Sequence, residues 1–124
     1  MIKHRVIIAL GSNIEPEKHI QEALHELGKV VHIRKRSSFS YTKPLLFENQ
    51  PDFLNGVTLV ETTLDKNSLK QHLLDIENEL GRKRTSNKYG PRIIDLDIII
   101  FDGKVVDHDY YERDFLQKFV EEVS

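Results

Sequence analysis

The chain has 124 residues, 39% of them hydrophobic and 31% charged, with a formal net charge of -2 and no cysteine. That is enough chain to bury a core without covalent staples, and a single domain over residues 1–124 is expected. Disulfides, thiolate metal sites and cysteine nucleophiles are excluded, and the charge balance argues against a surface built to coat nucleic acid.

The opening Lys3-His4-Arg5 is basic, but the apolar run after it, Val6-Ile7-Ile8-Ala9-Leu10, is too short for a signal sequence. No run is long enough to span a bilayer, so a cytoplasmic protein without membrane attachment is expected. That first run reads as a buried strand closed by the turn Gly11-Ser12-Asn13. Pro16 then stands at a first helical position, Ile20, Ala23, Leu24 and Leu27 follow at helical spacing, and Gly28 closes the helix. Val31, Ile33, Phe39 and Tyr41 share one parity and predict a long, half-exposed strand.

Pro44 and Pro51 bracket a loop. Phe53–Thr62 reads as a strand with Phe53, Asn55, Val57 and Leu59 on one face. Asp65 is a candidate N-cap for a helix striped by Leu69, Leu73, Ile76 and Leu80 and ended by Gly81. After a basic, polar loop, residues 92–101 form the strongest strand in the chain, followed by the turn Asp102-Gly103. A short helix is expected over 112–123, with Phe115, Phe119 and Val123 in line. The order strand, helix, strand, strand, helix, strand predicts an α+β split βαβ (ferredoxin-like) fold, an antiparallel sheet with both helices on one face. Such a fold hosts many functions and decides none of them.

The chemistry concentrates in the last strand. Asp95 and Asp97 are two apart and point to the same side of the sheet, among Ile93, Ile94, Leu96, Ile98, Ile99 and Ile100. Two carboxylates in so apolar a strand repel each other and lose hydration, so a cation should compensate them. Paired oxygen ligands that leave room for water and phosphate suit Mg²⁺ at a nucleotide site. An Asp-x-Asp pair standing alone more often faces solvent or pairs with arginine. Just before it lie Arg82, Lys83, Arg84, Lys88 and Arg92, five cations within eleven residues. Guanidinium forks suit phosphate oxygens, though basic residues after a helix also answer its dipole. The phosphate-binding P-loop, the dinucleotide glycine fingerprint and the protein-kinase motifs are all absent. Gly11-Ser12-Asn13 is either an anion-facing turn or, more commonly, a plain tight turn. His4, His19, His25, His32 and His72 have no metal-ligand spacing and read as surface or core residues.

Taken together, Ala9-Leu10-Gly11-Ser12-Asn13, Gln50-Pro51-Asp52-Phe53-Leu54-Asn55, residues 77–84 and Gly90-Pro91-Arg92-Ile93-Ile94-Asp95-Leu96-Asp97 resemble the hydroxymethyldihydropterin pyrophosphokinases. The resemblance runs from about residue 6 to 101, with a weaker echo to 115. It implies transfer of pyrophosphate from ATP to 6-hydroxymethyl-7,8-dihydropterin in folate biosynthesis, with AMP released and two Mg²⁺ ions held by Asp95 and Asp97. It implies phosphate contacts from Arg82, Arg84, Arg92 and Arg113, with Arg82, Arg92, Asp95 and Asp97 carrying catalysis. Glu77, Tyr89 and Ile98 would lie on the nucleotide side. Phe53 and Phe115 would sandwich the pterin, and Asn55 would read its edge beside Thr42, Pro44, Leu45 and Asp95. ATP and the pterin are the expected partners; neither nucleic acid nor membrane is, and a monomer is expected. Read from the residues alone, Phe53 and Phe115 are equally well core side chains.

The chain departs from the family in three places. It stops at Ser124, its segment between Val106 and Arg113 is shorter, and Leu46 replaces a glycine of the proline loop. A family histidine that contacts ATP is missing, and His108 reads as unrelated to it rather than as a replacement. A more open ATP site with weaker nucleotide affinity is the expectation. The alternatives are a non-catalytic pterin or nucleotide binding module derived from the family, and a split βαβ domain that binds RNA or a protein. The last would need exposed sheet aromatics rather than acids.

Overall fold

The computed structural model describes residues 2–43, 49–81 and 92–124. Its strands are β1 (His4–Ser12), β2 (His32–Arg36), β3 (Ser40–Thr42), β4 (Phe53–Thr62), β5 (Asp95–Phe101) and β6 (Lys104–Val105). Its helices are α1 (Pro16–Leu27), α2 (Lys66–Glu79), α3 (Asp109–Glu112) and α4 (Asp114–Val123). The strands form one sheet in the order β2-β4-β1-β5-β6, with β3 also pairing to β4, and every pairing is antiparallel. The expected α+β antiparallel fold is therefore present. Among the described residues no helix is long and apolar enough to cross a membrane.

Strand alternation sorts the side chains onto two faces. Val6, Ile8, Leu10, Leu54, Val60 and Leu96 pack with Ile20, Leu24 and Leu27 of α1 and with Leu69, Leu73 and Ile76 of α2. Asp65 caps α2 as expected, its side chain accepting from the Ser68 amide at 2.7 Å. On the other face Ile7, Val57, Leu59 and Ile99 pack under Leu116, Phe119, Val120 and Val123 of α4. The C-terminal helix begins at Asp114 and is preceded by the short α3, where the sequence suggests one helix from 112. It makes the molecule three-layered: the helices do not all share one side of the sheet.

Two strands are less regular than expected. The strand predicted across 31–41 is broken into β2 and β3. At the break Ser37 is buried; its amide donates to the Val57 carbonyl at 2.9 Å and its Oγ accepts from the Val57 amide at 2.8 Å. A side chain thus replaces a rung of the ladder. Phe39 lies directly over Gly56, where a Cβ would come within 2.6 Å of the ring. Residue 38 is tied across to α4: the Glu122 carboxylate accepts from the Ser38 amide at 2.8 Å and from Ser38 Oγ at 2.9 Å. In β5 the pairing with β1 steps from Ile8↔Ile98 to Ile7↔Ile100, so Ile99 is an extra residue, a β-bulge. Residues 92–94, read from sequence as part of this strand, precede it.

Candidate active site

The helix α4 covers only half of its face of the sheet. Over the other half the same parity of β1, β4 and β5 places Ala9 and Gly11, Phe53 and Asn55, and Asp95 and Asp97. The register sets them in rows: Asn55↔Gly11↔Asp95 and Val57↔Ala9↔Asp97. Ala9 and Gly11 leave the middle of this floor low. A Cβ at Gly11 would come within 2.8 Å of Asn55 Oδ1, so the glycine is what lets that amide lie across the sheet.

These residues form the base of a cavity of about 330 Å³. Its walls are Thr42 at the end of β3 and Lys43 after it, Arg92 before β5, Asp107 after β6, Asp109 at the start of α3, and Arg113, Phe115 and Leu116 at the start of α4. The sequence-predicted Thr42, Phe53, Asn55, Arg92, Asp95, Asp97, Arg113 and Phe115 are therefore brought together. Asn55 Nδ2 donates to Thr42 Oγ1 at 2.5 Å and to the Phe53 carbonyl at 3.2 Å, which fixes the amide plane. Arg113 sits over the Phe115 ring, 5.9 Å from its centroid. It also lies 3.9 Å from Asp109, a half-exposed and weak pairing. Phe115 is held edge-on by Phe119, centroids 6.1 Å apart.

Burial pushes the Asp97 carboxyl well above the usual carboxylate range. The charges of Asp95, Asp107 and Glu77, and a hydrogen bond to Asp95, push it the same way. A bound cation would reverse that balance, and the donors are carboxylate oxygens at the floor of a polar cavity. This donor set fits a hard divalent ion with open positions for water and phosphate.

Two predicted residues are not brought into the cavity. Ile98 points to the opposite face and packs on the core beneath α1 and α2. Glu77 is 2% exposed, and its Oε2 accepts from the Leu96 amide at 2.8 Å. It is buried against β5, beyond the reach of β6, which pairs only with Ile100 and Phe101. Arg82, Arg84, Tyr89, Pro44 and Leu45 lie outside the described residues. His108 is exposed and does not line the cavity.

Asp107 and Asp109 were missed from the sequence. They follow the Asp102-Gly103 hairpin, which returns the chain toward the acid pair, and that turn is the signal that could have found them. Asp107 Oδ1 accepts from the Asp109 amide at 2.9 Å. The turn after β1 is the tight one: the Asn13 amide is committed to the Arg92 carbonyl at 3.1 Å rather than presented to an anion. A second, larger cavity of about 580 Å³ lies at the far edge, lined by Lys29, His32, Glu61 and neighbours. It contains neither the acid pair nor the aromatic pair.

Comparison with known proteins points the same way. The model of the 7,8-dihydro-6-hydroxymethylpterin-pyrophosphokinase family matches residues 7–124. A 2-amino-4-hydroxy-6-hydroxymethyldihydropteridine pyrophosphokinase of Haemophilus influenzae is 35% identical over 120 residues, covering 88% of this chain and 74% of that protein. The protein of the same name from Campylobacter jejuni is 40% identical over 109 residues, covering 83% and 67%. Folic acid synthesis protein fol1 of Pneumocystis carinii is 36% identical over 129 aligned positions, which cover 96% of this chain and 17% of that longer protein.

Proposed function

The chain belongs to the 7,8-dihydro-6-hydroxymethylpterin-pyrophosphokinase family, and on that premise we propose how its residues carry out the reaction. It is an ATP-dependent diphosphokinase of folate biosynthesis: it transfers pyrophosphate from ATP to 6-hydroxymethyl-7,8-dihydropterin. The hydroxymethyl oxygen attacks the β-phosphorus, the bond from that phosphorus to the oxygen bridging the α-phosphorus breaks, and AMP leaves. The observation that carries the assignment of residues is the juxtaposition in one cavity of Asp95 and Asp97 with Arg92, Arg113, Phe53 and Phe115.

Phe53 and Phe115 take the two faces of the pterin ring, where area and ring quadrupole both favour stacking. Asn55, its amide plane set by Thr42, reads the heterocycle's edge, with Pro44 and Leu45 contributing from the adjoining loop. Asp95 and Asp97 would hold two Mg²⁺ ions, which when bound would neutralise phosphate charge. Arg92 and Arg113, joined by Arg82 and Arg84, grip phosphate oxygens. Arg82, Arg92, Asp95 and Asp97 are the catalytic set. Glu77, Tyr89 and Ile98 belong to the nucleotide side. Catalysis by positioning and charge needs no side-chain nucleophile. We further propose that it works in the cytoplasm and as a monomer.

The test is AMP formation on mixing the protein with ATP, Mg²⁺ and hydroxymethyldihydropterin. AMP should form in proportion to pterin diphosphate. None above background, with pterin or nucleotide still bound in a titration, would instead identify a binding module.

A further inference from the structure

Asn13 is 3% exposed although it is polar, and its whole side chain is committed. Nδ2 donates to Gln50 Oε1 at 2.8 Å and to the Pro51 carbonyl at 3.0 Å. Oδ1 accepts from the Arg92 amide at 2.8 Å, and the Asn13 amide donates back to the Arg92 carbonyl at 3.1 Å. One carboxamide thus joins the end of β1 to segments 37 and 79 residues away. The donors serve one segment and the acceptor serves the other, a division that needs both ends of an amide. The turn that carries it is itself braced: Ser12 Oγ donates to the Ile14 carbonyl at 3.1 Å, and the His19 ring of α1 bonds the same carbonyl.

Both tied segments lead into the cavity. Arg92 lines it, and residues 50–51 run directly into Phe53. Asn13 does not line it. We infer that Asn13 is a positioning residue for the transfer, fixing the Arg92 cation and the Phe53 ring against the same β1 floor that backs the acid pair. It touches no substrate and acts through the two segments it ties. Displacement of a reacting group by about 1 Å costs on the order of a hundredfold in rate, so a lost tie here should register in turnover rather than only in stability.

The inference rests on the pyrophosphokinase reading, and turnover by the unsubstituted protein, measured alongside, separates failure of one from failure of the other. Asn13→Ala should lower kcat by about ten- to a hundredfold. In an Arg92→Ala background the same change should lower kcat less than about threefold, because the cation it positions is gone and the remaining tie, toward Phe53, bears on the pterin KM. Independently of turnover, the Arg92 amide should exchange with deuterium faster in Asn13→Ala, while amides of β1 and β4 keep their protection. Equal losses in both backgrounds, unchanged kcat, or unchanged exchange at Arg92 would overturn the inference. If Asn13→Ala does not fold, Asn13→Asp decides the matter, since it keeps the acceptor for Arg92 and loses the donors to residues 50 and 51. The KM for pterin should then rise with that for ATP held; both moving equally, or neither, would refute the positioning role.

Discussion

One face of the sheet is built in two halves that share strands and parity but not purpose. In one half Ile7, Val57, Leu59 and Ile99 are sealed under α4. In the other the same rows continue as Ala9 and Gly11, Asn55 and Phe53, Asp97 and Asp95, and stay open. Apart from the bulge at Ile99, which falls at their boundary in β5, only side-chain chemistry separates them. The sealed half gains apolar burial, at about 25 cal/mol per Å². The open half gives that up and accumulates negative charge. The chain thus stores its stability beside the site rather than in it, as expected where function carries a stability cost.

Five experiments break or sharpen this contrast. Asp97→Ala should abolish turnover, by more than about a thousandfold if the residue holds metal at the transferring phosphates, while the metal-free protein melts no lower than its parent. The sign follows from the raised Asp97 pKa. The folded state holds that proton more tightly than the unfolded chain, so the contribution of Asp97 to metal-free stability is fullest below the ordinary carboxylate range. It declines as pH rises toward the folded-state value. Asp97→Asn should flatten that decline in denaturant titrations at several pH values; an unchanged profile would count against the charge cluster.

Leu59→Ala, in the sealed half, should cost about 2–5 kcal/mol of stability by chemical denaturation, with KM for both substrates unchanged below the melting range. Gly11→Ala places a methyl against Asn55 Oδ1 and should raise the pterin KM about tenfold, a loss near that of one hydrogen bond. ATP affinity should hold, and parallel loss of both would mean that the floor as a whole had shifted. Smallest is Glu122→Gln, which weakens the exposed tie from α4 to Ser38 and should cost less than about 1 kcal/mol.

Much of this was legible in the residues. Period-2 patterning fixed the shared face of Asp95 and Asp97 and of Phe53 and Asn55, and Pro16 and Asp65 marked their helices because caps are local chemistry. What escaped depends on distant partners. The break at Ser37–Phe39 arises because a serine hydroxyl substitutes for the ladder and a ring needs the space above Gly56. The parity of 31, 33, 39 and 41 cannot reveal that. The amphipathic stripe of α4 announced a buried face but not which side of the sheet it would cover. The resemblance puts Glu77 on the nucleotide side; that its Oε2 accepts from the Leu96 amide is a contact no local pattern shows. Asn13 looked like a turn residue because its partners stand 37 and 79 positions away.

The extra residue in β5 has a consequence for how this strand tolerates change. With Ile99 and Ile100 both turned toward α4, the segment before them and the segment after them keep independent count. Loss of Ile99 would restore an unbroken ladder, with Ile98 still opposite Ile8 and Ile100 still opposite Ile7, and the acids would keep their orientation. Loss of one residue between 95 and 97 has no such slack and would turn an aspartate into the apolar layer beneath α2. Length variation in this strand should therefore be confined to its isoleucine end.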